Sequence, residues 1–122
     1  MKLTSSAFID GDPMPTQYTC DGEGVPPPLT VSGVPPEAAS LSLTVTDPDA
    51  PRGTFTHWVK RDIAPGSEDL SGGTEGGNSA GRRGWYPPCP PSGTHRYVFK
   101  VSALDGDGKA IASAQLIGTY GR

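Results

Sequence analysis

The alternation of apolar and polar residues along this chain predicts an all-β protein. From Ser40 to Asp47 an apolar residue occupies nearly every second position, and residues 95–104 repeat the pattern. A period of two is typical of a strand with one buried face. Further strands are predicted at Phe55–Ile63 and 112–120, with weaker ones at 2–8 and 29–32. No segment has a convincing helical period.

Glycine and proline separate these apolar runs. The 122 residues include 17 glycines and 14 prolines, which cluster between the predicted strands and are typical of turns. The pattern predicts one domain over residues 1–122, an antiparallel β-sandwich with little helix and long Gly/Pro-rich loops. The longest predicted loop, 65–93, has a length typical of functional or mobile segments. Asp105-Gly106 predicts a tight hairpin turn before the last strand.

Charge and motif content exclude several function classes. The net charge is −3 and the basic residues are scattered, which argues against binding to nucleic acid. No apolar stretch is long enough to span a membrane. The first six residues turn polar without a secretory core, so the cytoplasm is the expected compartment. No Cys/His spacing typical of zinc and no cofactor motif is present, so neither a metal nor a cofactor is expected.

The two cysteines, Cys20 and Cys89, allow two interpretations. In a reducing cytosol two free thiols are the favoured expectation. A disulfide remains open, because separation along the sequence does not determine distance in space.

Strand register places three polar residues on the apolar side of their strands. Asp47 continues the inward register of its strand, His57 shares the register of Phe55, and His95 shares that of Tyr97. Each lies at or near a strand end or bulge. Taken singly, Asp47 resembles a turn residue and each histidine a core residue, but together they predict a shared polar pocket. The same register predicts that Trp58 points outward, against a second face or a dimer partner.

Such a pocket suits a small anion. Two imidazoles and the Tyr97 hydroxyl can donate to anionic oxygens, while the Asp47 carboxylate can hold one imidazole in a fixed tautomer and favour its charged form. The same groups could perform acid–base catalysis. No GxSxG motif is present and neither cysteine is flanked by an obvious base, so no catalytic residue is assigned. A non-enzymatic role is expected, and a hydrolase that uses His57 or His95 is the alternative.

Two segments resemble the signatures of a known family. Residues 47–51 (DPDAP) with 54–58 (TFTHW), and residues 88–97 (PCPPSGTHRY), resemble the two signatures of the phosphatidylethanolamine-binding, or Raf kinase inhibitor-like, family. Residues 18–22 and 116–120 are similar to its bacterial and archaeal branch. The resemblance covers nearly the whole chain, from about residue 3 to residue 122.

The resemblance implies an antiparallel β-sandwich with one small cavity that binds phosphate, phosphorylated head groups or acetate-like anions. The family's ligand-binding residues carry over to Asp47, Asp49, His57, Pro91, His95 and Tyr97. Trp85, Tyr86 and Cys89 are expected near the rim. Family members inhibit kinases or serine proteases or act as signalling scaffolds. A phosphate- or phosphoethanolamine-binding regulator is therefore expected, with a kinase or protease as a target and a homodimer as a candidate assembly.

Two departures from the family pattern bear on the site. Tyr86-Pro87 stands where relatives usually carry two glycines, and Pro87 has no N–H to offer an anion. The segment between the last two strands, 105–111, is shorter than the helix-containing segment of relatives. An immunoglobulin-type sandwich with Cys20 and Cys89 bridged is a further alternative, but Trp58 lies too far beyond Cys20 for that pattern.

Overall fold

A computed structural model describes residues 1–122 and contains seven strands in two antiparallel sheets. The strands are β1 (Lys2–Thr4), β2 (Thr30–Ser32), β3 (Ser40–Asp47), β4 (Phe55–Ile63), β5 (Thr74–Glu75), β6 (Thr94–Leu104) and β7 (Ala110–Gly121). One sheet pairs β1 with β2, and the other has the order β5-β4-β3-β6-β7. A single 3₁₀ turn, Thr16–Tyr18, is the only helical element. The mainly β fold predicted from the alternation is confirmed.

The two central strands confirm the pattern residue by residue. Every second residue of β3 and of β6 is buried. Leu43 of β3 lies opposite Val101 of β6, and Val45 lies opposite Phe99. These residues belong to a core of 16 buried hydrophobic residues to which β1 and β2 also contribute. The alternation works here because one face of each strand meets the core and the other faces outward.

Strand β4 departs from simple alternation through a β-bulge at His57. Val45 pairs with Trp58 and the next residue, Thr46, pairs with Thr56, so His57 is an extra residue without an opposite partner. A bulge turns adjacent side chains toward the same face and recurs beside functional sites. Here it places both His57 and Trp58 inward.

The outward orientation predicted for Trp58 is therefore wrong. Trp58 is 8% exposed and belongs to the core, and its indole Nε1–H donates to the carboxylate of Glu75 at 2.7 Å. The bulge breaks the parity on which the prediction rested.

The long segment after β4 is more ordered than its composition indicates. It contains β5, which pairs with β4 and was not predicted. The Asn78 side chain organises the turn that follows, accepting from two backbone N–H groups and donating to the carbonyl of Gly84 at 3.0 Å. Nearer β4, the buried ammonium of Lys60 donates to the carbonyl of Leu70 at 2.6 Å. Outside β5, these side-chain hydrogen bonds hold the segment against the sheet in place of regular secondary structure.

The predicted turn between β6 and β7 is confirmed. The Asp105 carboxylate accepts from the N–H groups of Asp107 and Lys109, both at 2.9 Å, and the Lys109 carbonyl accepts from the N–H of Asp105. A short Asx-type turn thus links the two longest strands.

The favoured expectation of two free thiols is wrong. Cys20 and Cys89 form a disulfide with their Cα atoms 5.4 Å apart, and neither cysteine is free. The expectation rested on compartment alone, whereas the fold brings the loop that carries Cys20 against the one that carries Cys89, where the N–H of Cys20 donates to the Pro88 carbonyl at 3.0 Å.

A substitution at Gly118 tests how tightly β7 packs on the core. A Cβ at this position would lie 2.5 Å from Cγ of Met14 and 2.9 Å from the Phe8 ring. We expect Gly118→Ala to lower the free energy of unfolding by about 1–3 kcal/mol, measured by urea denaturation. Gly106→Ala is the matched control, because a Cβ there meets nothing within 4 Å. Equal stability of the two variants would contradict this packing.

Candidate functional site

A cavity of about 380 Å³ opens where β3 ends and β4 and β6 begin. Twelve residues line it: Asp47, Ala50, Pro51, Phe55, His57, Ala80, Tyr86, Cys89, Pro90, Pro91, His95 and Tyr97. The strand ends meet here because β3 runs antiparallel to both of its neighbours. The cavity therefore collects polar residues that stand at three strand termini.

The floor of the cavity is built on the Asp47–His95 pair. Nδ1–H of His95 donates to Oδ2 of Asp47 at 2.7 Å, and both side chains are almost fully buried. The other oxygen, Oδ1, accepts from the backbone N–H of Asp49 at 2.8 Å. With Nδ1 engaged, the remaining ring nitrogen of His95 is Nε2, which becomes a donor when the ring is charged.

His57 is fixed to the opposite wall by two hydrogen bonds with Tyr86. Nδ1 of His57 lies 2.7 Å from the Tyr86 carbonyl, and because a carbonyl only accepts, Nδ1 carries the proton. The backbone carbonyl of His57 accepts from the Tyr86 N–H at 2.9 Å. Burial lowers the pKa of His57 below its usual 6.5, partly offset by the Tyr86 carbonyl and the charge of Asp47. Its uncharged form is thus favoured while the cavity holds no anion.

Tyr97 completes the polar floor. Its ring meets the His57 ring edge-on, with centroids 5.2 Å apart, and the residue is 1% exposed. Burial, followed by the negative charge of Asp47, raises the pKa of the Tyr97 hydroxyl. The group therefore stays protonated at physiological pH and can donate a hydrogen bond.

The upper walls are mostly apolar. The Phe55 ring packs 4.8 Å from the His57 ring and 5.7 Å from the Tyr86 ring, measured between centroids. Pro90 and Pro91 form part of the wall contributed by the loop before β6. The lining contains neither lysine nor arginine, so any positive charge facing a ligand must come from the imidazoles.

The structure brings together most, but not all, of the predicted site residues. Asp47, His57, Pro91, His95 and Tyr97 line the cavity, as do Tyr86 and Cys89 from the expected rim. Asp49 and Trp85 do not.

Asp49 points to Arg96 instead of the cavity. Its carboxylate accepts from Nε and Nη2 of Arg96 at 2.9 and 2.8 Å, and from the Arg96 backbone N–H at 2.9 Å. These bonds hold the pKa of Asp49 well below its usual range. The pair joins the loop after β3 to the start of β6, and so positions Asp47 against His95.

Trp85 packs into the core. Its indole stands edge-on to Trp58 at 5.5 Å and stacks on Phe99 at 6.1 Å, between ring centroids. Tyr86 thus adds its ring to the cavity wall, while the preceding tryptophan supports the core.

Five further lining residues were missed as site residues: Ala50, Pro51, Phe55, Ala80 and Pro90. Phe55 could have been found, because it shares the inward register of His57. Ala80 carries no signal in the sequence, since only the turn around Asn78 brings it to the cavity. No group of three or more Asp, Glu, His or Cys residues is arranged to hold a metal ion.

The fold and this cavity define a β-sandwich with a polar-floored pocket at the ends of its central strands. A family model described as phosphatidylethanolamine-binding protein matches residues 4–120. The chain belongs to the phosphatidylethanolamine-binding protein family.

Relatives of similar sequence occur in archaea and bacteria. The chain is 41% identical over 150 aligned positions to a UPF0098 protein of Methanothermobacter thermautotrophicus, covering 100% of this chain and 99% of the relative. It is 42% identical over 147 positions to a UPF0098 protein of Chlamydia trachomatis, covering 98% of each. Because this chain has only 122 residues, both relatives contain residues without a counterpart here.

Solved structures agree with the fold. CT736 of Chlamydia trachomatis, described as a homolog of the family, superposes with a TM-score of 0.94 at 39% identity, covering 99% of this chain and 97% of CT736. YbcL of E. coli, described as a new member of the mammalian family, gives 0.90 at 28% identity, covering 99% and 98%.

No helix of this chain is long and apolar enough to cross a membrane. A Mycobacterium tuberculosis relative, 46% identical over 112 positions that cover 85% of this chain and 55% of the relative, bears the name "Putative lipoprotein LppC".

Proposed function

We propose that this protein binds a small anion, such as phosphate or a phosphorylated head group, in the cavity above Asp47 and His95, and acts as a regulator of other proteins. The observation that carries the proposal is the buried 2.7 Å hydrogen bond between His95 and Asp47 at the cavity floor. It presents the second imidazole nitrogen as the one available for a ligand.

The donor set fits an anion with several oxygens. His57 has its Nδ1 engaged by Tyr86 and its Nε2 remaining, and the Tyr97 hydroxyl stays protonated. When both rings are protonated, the two Nε2–H groups and the Tyr97 hydroxyl can donate to three oxygens of a tetrahedral anion. The apolar walls exclude water and strengthen each charge-assisted hydrogen bond.

The volume leaves room for more than an inorganic anion. A cavity of about 380 Å³ lies within the usual range for small-molecule sites. Phe55 and Tyr86 offer an aromatic surface to whatever substituent the anion carries. This is why a phosphorylated head group, in addition to free phosphate, forms part of the proposal.

An NMR titration of the two histidines tests the binding proposal. Because the chain has only two histidines, one variant assigns both imidazole signals. We expect inorganic phosphate, and then O-phosphoethanolamine, to shift both signals with one saturation curve. In His95→Gln the amide can still donate to Asp47 but cannot become charged, so the remaining His57 signal should saturate only at concentrations about tenfold higher or more. Signals that do not respond in the wild type would overturn the proposal.

A hydrolase remains the second candidate because the Asp47–His95 pair is also the arrangement that activates water for general-base attack. Ester or phosphomonoester hydrolysis that disappears in His95→Gln would favour it. Under the binding proposal, the wild type and His95→Gln are equally inactive toward both substrate classes.

The regulatory role follows from the family resemblance, in which members act on kinases or serine proteases. The cytoplasm is the compartment proposed from the sequence. The exposed disulfide weighs against a permanently reducing compartment, since disulfides are rare there. Fractionation of the cell of origin, combined with a thiol-specific label, distinguishes a cytoplasmic location from a non-reducing compartment.

A further inference from the structure

The Cys20–Cys89 disulfide is part of the cavity wall. Cys89 lines the cavity together with Pro90 and Pro91, which follow it. The disulfide bond attaches Cys89 to the loop that carries Cys20. Both cysteines are exposed to solvent. An exposed disulfide is accessible to reductants, in contrast to a buried structural bridge.

Few other bonds hold this part of the wall. Residues 87–92 take part in a single backbone hydrogen bond, in which the Pro88 carbonyl accepts from the N–H of Cys20 at 3.0 Å. Pro87, Pro88, Pro90 and Pro91 have no N–H with which to form others. Pro88 and Pro90 are buried, and on the solvent side the disulfide is the covalent cross-link between this segment and the rest of the molecule.

A guanidinium group lies beside the bridge. Nη1 of Arg122 donates to Sγ of Cys89 at 3.3 Å, and Nη2 lies 3.3 Å from the Asp21 carboxylate. The backbones of Arg122 and Gly93 exchange two hydrogen bonds, at 2.9 and 3.2 Å. A positive charge next to one sulfur favours that sulfur as the departing thiolate.

We propose that reversible reduction of Cys20–Cys89 by a dithiol regulates anion binding in the adjacent cavity. The inference rests on the proposed function of that cavity. With the bridge formed, the wall of Cys89, Pro90 and Pro91 is held in place. With the bridge open, only a fraction of the molecules has the wall in the conformation that binds the anion. The apparent affinity falls in proportion to that fraction.

The dithiol supplies both electrons for the reduction of the disulfide. One of its thiolates attacks Sγ of Cys20, the S–S bond breaks, and Cys89 departs as a thiolate beside Arg122. The second thiolate of the reductant attacks the mixed disulfide and releases Cys20. The protein gains two electrons, the dithiol becomes a disulfide, and the two protons of the dithiol pass to the cysteine sulfurs or to solvent.

Phosphate titrations of the oxidised and the reduced protein test this proposal. Dithiothreitol is the reductant because it is uncharged and does not compete for the cavity, and thiol counting verifies each state. We expect reduction to weaken phosphate binding by about tenfold, followed through the imidazole signals. Reoxidation should restore the original affinity.

The Cys20→Ser, Cys89→Ser double variant serves as the control. It should bind phosphate like the reduced wild type and show no response to dithiothreitol. If this variant does not fold, the comparison between the two wild-type states stands by itself. Equal affinities in both wild-type states, with binding retained, would overturn the redox inference alone. Absence of phosphate binding in the oxidised wild type would instead overturn the proposed function.

Discussion

Replacing Asp47 by asparagine is expected to weaken phosphate binding about ten- to hundredfold. The carboxylate accepts from His95 at 2.7 Å in a buried setting, and hydrogen bonds to charged groups contribute about 1.5–3 kcal/mol. Asparagine keeps the size and can still accept from the N–H of Asp49. Its neutral amide is a weaker acceptor than the carboxylate, so the hydrogen bond that orients His95 toward the anion is weakened. Isothermal titration calorimetry at pH 6.5 measures the effect.

Asp105→Asn is the matched control for Asp47→Asn. It removes the same charge from a carboxylate that also accepts from backbone N–H groups, but it lies beyond the opposite end of β6. Phosphate affinity should remain within about twofold of the wild type. Thermal unfolding of both variants separates loss of binding from loss of folding. A similar affinity for the two variants would contradict the role given to Asp47.

The second large effect is a rise in anion affinity with falling pH. Sulfate is the suitable probe, because it does not titrate between pH 5 and 8. The pKa of His57 lies below 6.5 because of burial, so at neutral pH this ring is uncharged. Since the bound anion favours the charged ring, binding takes up a proton. We expect sulfate affinity to increase as pH falls below about 6.5, by up to about tenfold per pH unit for each proton taken up.

The same shift has the opposite sign for the stability of the ligand-free protein. Folding favours the uncharged His57, so its contribution to the free energy of unfolding is fully present above pH 6.5 and is lost as pH falls through the lower folded-state pKa. Added sulfate should restore stability in this acidic window. Urea denaturation at pH 5 and 7.5, with and without sulfate, measures both effects.

His57→Gln separates the contributions of the two imidazoles. The variant should lose the part of the pH dependence due to His57, both in sulfate affinity and in stability. A sulfate affinity independent of pH in the wild type would show that neither imidazole takes up a proton when sulfate binds.

Strand register predicted much of the site because two of its three strands are regular. Asp47 and His95 lie at the ends of β3 and β6, which alternate without interruption. A residue's face can therefore be counted from its apolar neighbours. His57 was also placed inward, but the regular count that produced this result put Trp58 outward. The bulge turns both inward, and counting along one strand does not reveal a residue inserted relative to its partner.

The ligand residues implied by family resemblance were only partly brought together. Asp49 follows the signature but pairs with Arg96. Its short side chain lies on an exposed turn, within hydrogen-bond distance of the guanidinium on the neighbouring strand, and does not line the cavity. Phe55 and Ala80 belong to no functional residue type, yet they line the cavity. Apolar walls are built from ordinary residues, which a motif does not identify.

By itself the sequence determined the β class, the two central strands, the hairpin at Asp105 and the family, because these depend on local periodicity, turn chemistry and contiguous motifs. Tertiary structure alone decided the bulge at His57, the Cys20–Cys89 bridge and the apolar lining of the cavity. Each of these depends on which distant segments meet in space. Such meetings are set by the packing of the whole core, and no single segment encodes them.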